Sequence, residues 1–318
     1  MMTISVCMAA YNGAKYIEEQ LKSLLDQSRR PDQVVLYDDG SEDGTVEIIR
    51  QFIGKNGLES GWRLWTGEKN LGYPACFYHA MDLCTEDIVF LADQDDIWDR
   101  EKVEKMSRLF EEHRNLKAAV CKFGLIDAEG RRIRTVLAPT RNKNTGALRH
   151  VSVEAVLRKG EWPGMVMAYR REWYRSWARG SKVIPHDLLI SVKAAEEDGF
   201  LQIDEVMAFH RRHDDNAGGE EHRAETLLNR ERKLWEIRVY MDYLEAFAGE
   251  RILETEAGRA QMAEKYRTMQ DRYAALKSAR IGRVLKSALK HRRHVRPATV
   301  VCDVLICRQK ERKGGQSL

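Results

Sequence analysis

The 318 residues contain no membrane span, no disulfide framework and no glycine-rich nucleotide loop of the common kinds. No apolar run reaches the roughly 18 residues that a transmembrane helix needs. The six cysteines (Cys7, Cys76, Cys84, Cys121, Cys302 and Cys307) include no Cys-x-x-Cys pair. This argues against a zinc ribbon or a secreted, disulfide-stapled scaffold and favours a reducing, cytoplasmic setting. Neither Gly-x-Gly-x-x-Gly nor Gly-x-x-x-x-Gly-Lys-[Ser/Thr] occurs, which counts against a dinucleotide fold and a P-loop. Proline is scarce, and with 43% hydrophobic residues the chain is too apolar for disorder. The first residues enter a strand-like run with no leader pattern. The length fits one large domain or two smaller ones.

Charge is unevenly spread. Arg272 to Leu318 carries 13 Lys and Arg against 2 acidic residues, so a total of +4 hides a basic tail of +11 behind a body of −7. In this tail Ile281, Val284, Leu285, Ala288 and Leu289 fall at helical spacing, with Lys277, Arg280, Arg283, Lys286 and Lys290 among them. Such a helix suits an anionic membrane surface, or it packs as a solvated helix on its own domain. The tail has no interleaved aromatics, so a nucleic-acid partner is not expected. The apolar stretch Ala298 to Cys307 contains Asp303 and is expected to be a strand or a buried helical turn.

Strands and helices alternate along the first half. Ile4–Ala10, Val34–Tyr37, Trp62–Trp65 and Ile88–Ala92 read as strands. Between them Ile17, Leu21, Leu24 and Leu25, then Val46, Ile49 and Ile53, then Cys76, Phe77, Ala80 and Met81 recur at helical spacing. A further helix carries Val103, Met106 and Phe110, with Asp99 expected as its N-cap. This order predicts βαβ units, a mostly parallel sheet and a ligand site outside the carboxyl ends of its strands.

Carboxylates and turn formers fill those ends. Tyr11, Asn12 and Gly13 follow the first strand, Asp38, Asp39, Gly40 and Ser41 the second, Asn70, Leu71 and Gly72 the third, and Asp93, Gln94, Asp95 and Asp96 the fourth. Asp38 and Asp39 suit either a helix cap and turn or a ligand contact. Asp93, Asp95 and Asp96 repel one another unless a cation balances them, and hard oxygen ligands suit Mg2+ or Mn2+ held jointly with substrate phosphates. A solvated acidic loop is the bland alternative.

The ordered runs SVCMAAYNGAKYIEEQLKSLLDQS, VVLYDDGSEDGT, NLGYPACFYHAM and FLADQDDIW resemble the family 2 inverting glycosyltransferases of GT-A fold, particularly bacterial surface-polysaccharide enzymes of the rhamnosyltransferase type. The similarity runs from about Ile4 to Gly219. It implies an α/β, Rossmann-like domain over residues 1–220 and leaves 221–318 as a helical, basic C-terminal region. It also implies a metal-binding DXD element at Asp93 and Asp95, bridging the diphosphate of a nucleotide sugar, and base recognition by Asp39. Ala9, Ala10 and Tyr11, with Asn70 and Gly72, are placed around the nucleotide. The catalytic base maps to Asp187 in IPHDLLIS, where Leu188 and Leu189 replace the family's usual aromatics; the alternative is a helix-start aspartate after Pro185. FHRRHDDNAGG resembles a YRxHxxNxxG element covering His210, Arg211, His213, Asn216 and Gly219, whose histidine and basic residues are expected at the diphosphate or, for His213, at the metal's third ligand position; the alternative is a salt-bridged surface loop. Asp96, Gly164 and His186 are placed on the acceptor side, and Trp98 either on the acceptor wall or in the core. Trp162, Trp173 and Trp177 read as packing.

The resulting expectation is metal-dependent, inverting transfer of one sugar from a UDP- or dTDP-linked donor to a glycan or lipid-linked glycan, at the inner face of the cell membrane. QxxRW, the mark of processive relatives, is absent. Rival readings are a nucleotidyltransferase, disfavoured because AAYNGAKY lacks a Gly-rich, Arg-containing loop, and a silent nucleotide-sugar-binding or membrane-tethering protein.

Overall fold

In a computed structural model the chain is described at residues 1–133, 144–159, 162–178, 181, 183–213 and 228–308. The run Ile4–Ala10 forms β1, every residue of which is buried. A strand buried throughout needs neighbours on both edges, and β2 (Gln33–Asp38) and β4 (Ile88–Ala92) both pair with it in parallel. β3 (Trp62–Thr66) extends the parallel run beyond β2. The crossovers are α1 (Ile17–Leu25), α2 (Thr45–Asn56) and α3 (Ala75–Asp82), which turn Ile17, Leu21 and Leu24, then Ile49 and Ile53, then Phe77 and Met81 inward.

Past β4 the sheet becomes mixed. β5 (Ile97–Trp98) is followed by α4 (Lys102–Glu112) and β6 (Ala118–Ile126). Short strands β7 (Arg132–Ile133) and β8 (Leu148–His150) edge β6 and β10 (Phe200–Arg211). β9 (Met167–Arg170) lies antiparallel between β4 and β6, while β10 runs parallel to β6 and takes β5 antiparallel at its end. The order is β3-β2-β1-β4-β9-β6-β10-β5. Registers align the strand ends: Ala10 faces Asp38, Asp38 faces Thr66, and Met8 faces Ala92. The acidic loops therefore leave the sheet along one edge.

The described residues divide into two compact units, Met1–Ser152 with Glu161–His213, and Val153–Gly160 with Asp214–Leu318. The first holds the sheet, α6 (Arg171–Trp177) and α7 (His186–Glu196). α7 is buried from His186 to Ala195 and packs on β6 and β10, so it lacks the exposed face of a surface helix. The second unit joins α5 (Val153–Lys159) to α8 (Arg230–Gly249), α9 (Glu256–Lys277), α10 (Ile281–Lys290) and α11 (Pro297–Arg308). The boundary expected at residue 220 lies outside the described residues.

Two local expectations are corrected. Ala298–Cys307 belongs to α11, a helix that buries only Asp303 and Ile306. The interior aspartate is accommodated because Arg272 donates to both its oxygens, at 2.7 and 2.8 Å. Asp99 is not the N-cap of α4, a place taken by Glu101. It closes the preceding turn: Oδ1 accepts the Glu101 N–H at 3.0 Å and its carbonyl accepts the Lys102 N–H at 3.1 Å.

Candidate active site

The loops after β1 and β2 are stitched together. The N–H groups of Asn12, Gly13 and Ala14 donate to Ser41 Oγ, Thr45 Oγ1 and Asp43 Oδ2, at 2.8, 2.8 and 2.9 Å. The two neighbouring aspartates of the second loop then do different work. Asp38 stays within its own turn, accepting the N–H groups of Gly40 and Ser41 at 3.2 and 2.9 Å. Asp39 reaches across to the third loop, where Oδ1 accepts the Leu71 N–H at 2.8 Å and Oδ2 the Gly72 N–H at 2.9 Å. Gly72 has φ +71°, a conformation that favours glycine. The turn reading thus fits Asp38, while Asp39 fixes the loop that carries Asn70 and Gly72.

The fourth loop is tied to the first by Gln94, whose Oε1 accepts the Tyr11 N–H and whose Nε2 donates to the Tyr11 carbonyl, both at 2.9 Å. Gly13 leaves room for this amide, since a Cβ there would lie 2.2 Å from Gln94 Oε1. Asp93 and Asp95 are half-buried. Burial, then the charges of Asp96 and Asp95, push the Asp93 carboxyl well above the usual carboxylate range, and Asp187 adds to the effect. Asp95 Oδ2 lies 2.9 Å from His213 Nε2. Asp96 is fully buried; its Oδ1 meets His210 Nδ1 at 3.1 Å and accepts the Arg211 N–H at 3.0 Å. Burial pulls the His210 pKa down, but the Asp96 contact outweighs it and holds His210 above its ordinary value.

Further electrostatics relate the clusters to one another. The Cys76 thiol is pushed up to about 11 by burial and then by Asp39, with Asp93 also acting on it. The second and fourth loops therefore flank one side chain. Asp187, in the first turn of α7, acts on Asp93 from another element and accepts the Leu188 N–H at 2.8 Å. Asp95 and His213 are thus in contact at the strand ends, with Asp93 and Asp187 within electrostatic reach of each other.

Asp96, Trp98, Gly164 and His186 are all buried, as is Asp187. Asp96 is committed to His210 and Arg211. Trp98 packs beneath Lys102, whose Nζ sits 3.3 Å from the ring centroid. Gly164 seats a 3-10 turn (Gly164–Val166) against His186, and a Cβ there would lie 2.8 Å from Nε2. The His186 ring is 2% exposed and stacks on Phe77 at 4.3 Å, with Tyr73 and Tyr78 edge-on. Burial lowers its pKa to about 3. At the first loop Ala9 and Ala10 are buried in the ladder, and Tyr11 is the exposed member. Tyr73, 57% exposed beside His186, is the aromatic open to a ligand there. Asn216 and Gly219 fall outside the described residues.

Three groups act in ways that the sequence did not indicate, although Gln94 stands within the DXD element and Arg211 within the YRxHxxNxxG element. Gln94 is the loop clamp already described. Arg211, fully buried at the end of β10, donates from Nε to the Asp95 carbonyl at 2.8 Å and from Nη1 to the Ala128 carbonyl at 3.0 Å, and pairs with Glu19. Lys102 is fully buried and donates to the Met165 carbonyl; burial lowers its pKa to about 7, and Asp96 and Asp93 lie within electrostatic reach. A signal for Lys102 was present, because it shares the apolar face of α4 with Met106 and Phe110.

A divalent cation suits these donors. Among the described residues no hydrogen-bond donor reaches the Asp93 carboxylate, and no preassembled group of three metal-binding side chains occurs. A half-buried, repelled carboxylate beside Asp95 and an imidazole matches an ion held by one or two carboxylates and completed by substrate phosphates and water.

A parallel βαβ half with acidic strand ends, continued by a mixed half that returns a histidine to the acid loop, defines a GT-A glycosyltransferase fold. Residues 5–175 match the family model described as glycosyl transferase family 2, and the chain belongs to that family. It is 36% identical over 104 residues to the dTDP-rhamnosyl transferase RfbG of Shigella flexneri, covering 30% of this chain and 34% of that one. Staphylococcus aureus TarS 1–349 in complex with UDP superposes with a TM-score of 0.54 at 20% identity, over 86% of this chain and 91% of that one. The mannosyltransferase PcManGT of Pyrobaculum calidifontis, in complex with GDP-Man and Mn2+, gives a TM-score of 0.56 at 18% identity, over 96% and 85% of the two chains. The chain spans 40%, 39% and 53% of three curated relatives that it matches.

Proposed function

We propose that this protein moves one sugar from a nucleoside diphosphate sugar to a hydroxyl of a glycan, directly and with inversion, in the synthesis of a surface polysaccharide. The observation that carries the proposal is the acid loop, where Asp95 Oδ2 lies 2.9 Å from His213 Nε2 beside the repelled Asp93 carboxyl, with Asp187 of α7 within electrostatic reach. In this reading Asp93 serves the donor end of the site and Asp187 the acceptor end. Asp187 takes the acceptor hydroxyl proton as that oxygen bonds to the anomeric carbon; the bond from this carbon to the diphosphate breaks, and the nucleoside diphosphate departs with its electron pair. Mg2+ or Mn2+ held by Asp93 and Asp95, with His213 beside them, would offset the charge developing on the diphosphate. Asp39 holds the third loop against the nucleoside through Leu71 and Gly72, and Arg211 and Gln94 keep the acid loop in register with Tyr11.

The relatives' names support UDP- or dTDP-linked donors, and the acceptor proposed with them is a glycan, free or lipid-linked. All six cysteines are free thiols, which supports a reducing, cytoplasmic compartment. The test pairs Asp187→Ala with wild type in a screen of UDP- and dTDP-sugars against glycan acceptors, with Mn2+. Wild type is expected to transfer, and the variant to lose roughly 100-fold or more in kcat while keeping the thermal shift given by nucleoside diphosphate and Mn2+. Equal transfer by both proteins refutes the base assignment. Binding without transfer in wild type would favour a silent nucleotide-sugar-binding protein, and release of pyrophosphate a nucleotidyltransferase.

A further inference from the structure

The second unit leaves part of its apolar surface uncovered. In α10 the residues Ile281, Leu285 and Leu289 are spaced four apart and form one stripe, yet the only residue of this helix that the unit buries is Val284. Leu285 is 45% and Leu289 75% exposed. The adjoining α11 repeats the pattern, with Val301 and Leu305, also four apart, 58% and 42% exposed. A helix that only needed to pack on its own unit would turn this stripe inward.

The surroundings of the stripe are cationic. Arg280, Arg283, Lys286, Arg292 and Arg293 are exposed, and among the described residues no carboxylate pairs with them. The one acidic residue of residues 281–308, Asp303, is buried against Arg272. Lys290 and His291 hold the end of α10 to Asp271 on α9, at 2.7 and 2.8 Å, so the helix is anchored with its leucines outward. None of the described helices is long and apolar enough to cross a membrane.

We propose that α10, with α11 beside it, is a docking surface for an anionic phospholipid bilayer. Leu285 and Leu289 enter the boundary between headgroups and acyl chains, and Arg283, Lys286, Arg292 and Arg293 meet lipid phosphates. Each rival occupant satisfies only half of the surface. A second copy packed face to face would set these cations against themselves. A nucleic acid would pair the cations but leave Leu289 in water. An anionic bilayer alone meets both the charge and the apolar stripe. The inference does not depend on the transfer reaction.

The test is flotation of the full-length protein with vesicles of phosphatidylcholine, alone or mixed with phosphatidylglycerol, at low and high salt. Wild type is expected to float with the mixed vesicles, to stay behind with phosphatidylcholine alone, and to lose binding as salt rises. Leu285→Glu and Leu289→Glu should each weaken binding by roughly tenfold, and the double variant should abolish flotation. Both positions are exposed, so helicity and the thermal shift with nucleoside diphosphate and Mn2+ should not change; that shift reads the proposed active site separately. The proposal is overturned if mixed vesicles do not float wild type, or if the double variant floats like wild type. It is equally overturned if light scattering shows a dimer that the double variant dissolves without any vesicle binding. Retention on an oligonucleotide without vesicle binding would assign the cations to nucleic acid instead.

Discussion

His186 should impose an acid sensitivity that one substitution removes. Its ring is 2% exposed, stacks on Phe77, and has no hydrogen-bond partner at either nitrogen among the described residues. Burial lowers its pKa from the ordinary 6.5 to about 3. Between those values the unfolded chain binds a proton that the folded chain refuses, so stability falls as pH drops below about 6.5 and is unaffected by this group above about 7. At about 1.4 kcal/mol per pH unit, the loss at about pH 5 is roughly 2 kcal/mol. His186→Leu keeps a similar volume and titrates nothing, so the stability gap between variant and wild type should move by roughly 2 kcal/mol in the variant's favour between about pH 7.5 and pH 5. Urea unfolding followed by tryptophan fluorescence suits the measurement, because six of the seven tryptophans lie in the sheet-bearing unit. Comparing the two proteins at each pH cancels the other titrating groups. A gap that stays constant across this range would refute the placement of His186 as a buried, neutral ring.

Two further substitutions probe the loops. In Arg211→Lys a single ammonium cannot reach the Asp95 and Ala128 carbonyls together, so urea unfolding at neutral pH should show a loss of roughly 2 kcal/mol, and nucleoside diphosphate with Mn2+ should give a smaller thermal shift. Asp39→Asn turns an amide NH2 toward either the Leu71 or the Gly72 N–H; calorimetric titration of nucleoside diphosphate should show weaker binding, and the buried mismatch should cost about 1–3 kcal/mol of stability.

Much of the first unit was legible because its signals are local. Burial on both faces makes β1 a continuous apolar run, and Leu21 and Leu24 follow Ile17 at helical spacing, so strand and helix alternate visibly in the sequence. The carboxylates fall at strand ends because turns and ligands are built there. What escaped was direction and partner. Periodicity does not record that β9 enters the sheet antiparallel. Adjacency to a motif locates a residue in the chain without saying which way it faces: Asp95 lies half-exposed at the site while Asp96, next to it, is turned fully inward. The Asp96–His210 and Arg211–Asp95 contacts join positions more than a hundred residues apart, and no spacing rule links them.

The amide of Gln94 ties the ends of β1 and β4 by a paired contact, and the first loop is in turn sewn to the second, which grips the third through Asp39. Four strand termini therefore behave as one casting, with no slack between the part that would meet a nucleoside and the part that would meet its phosphates. A ligand spanning both ends would therefore meet them at a fixed separation. Retuning this scaffold toward a differently shaped donor would require compensating changes at several of these joints together.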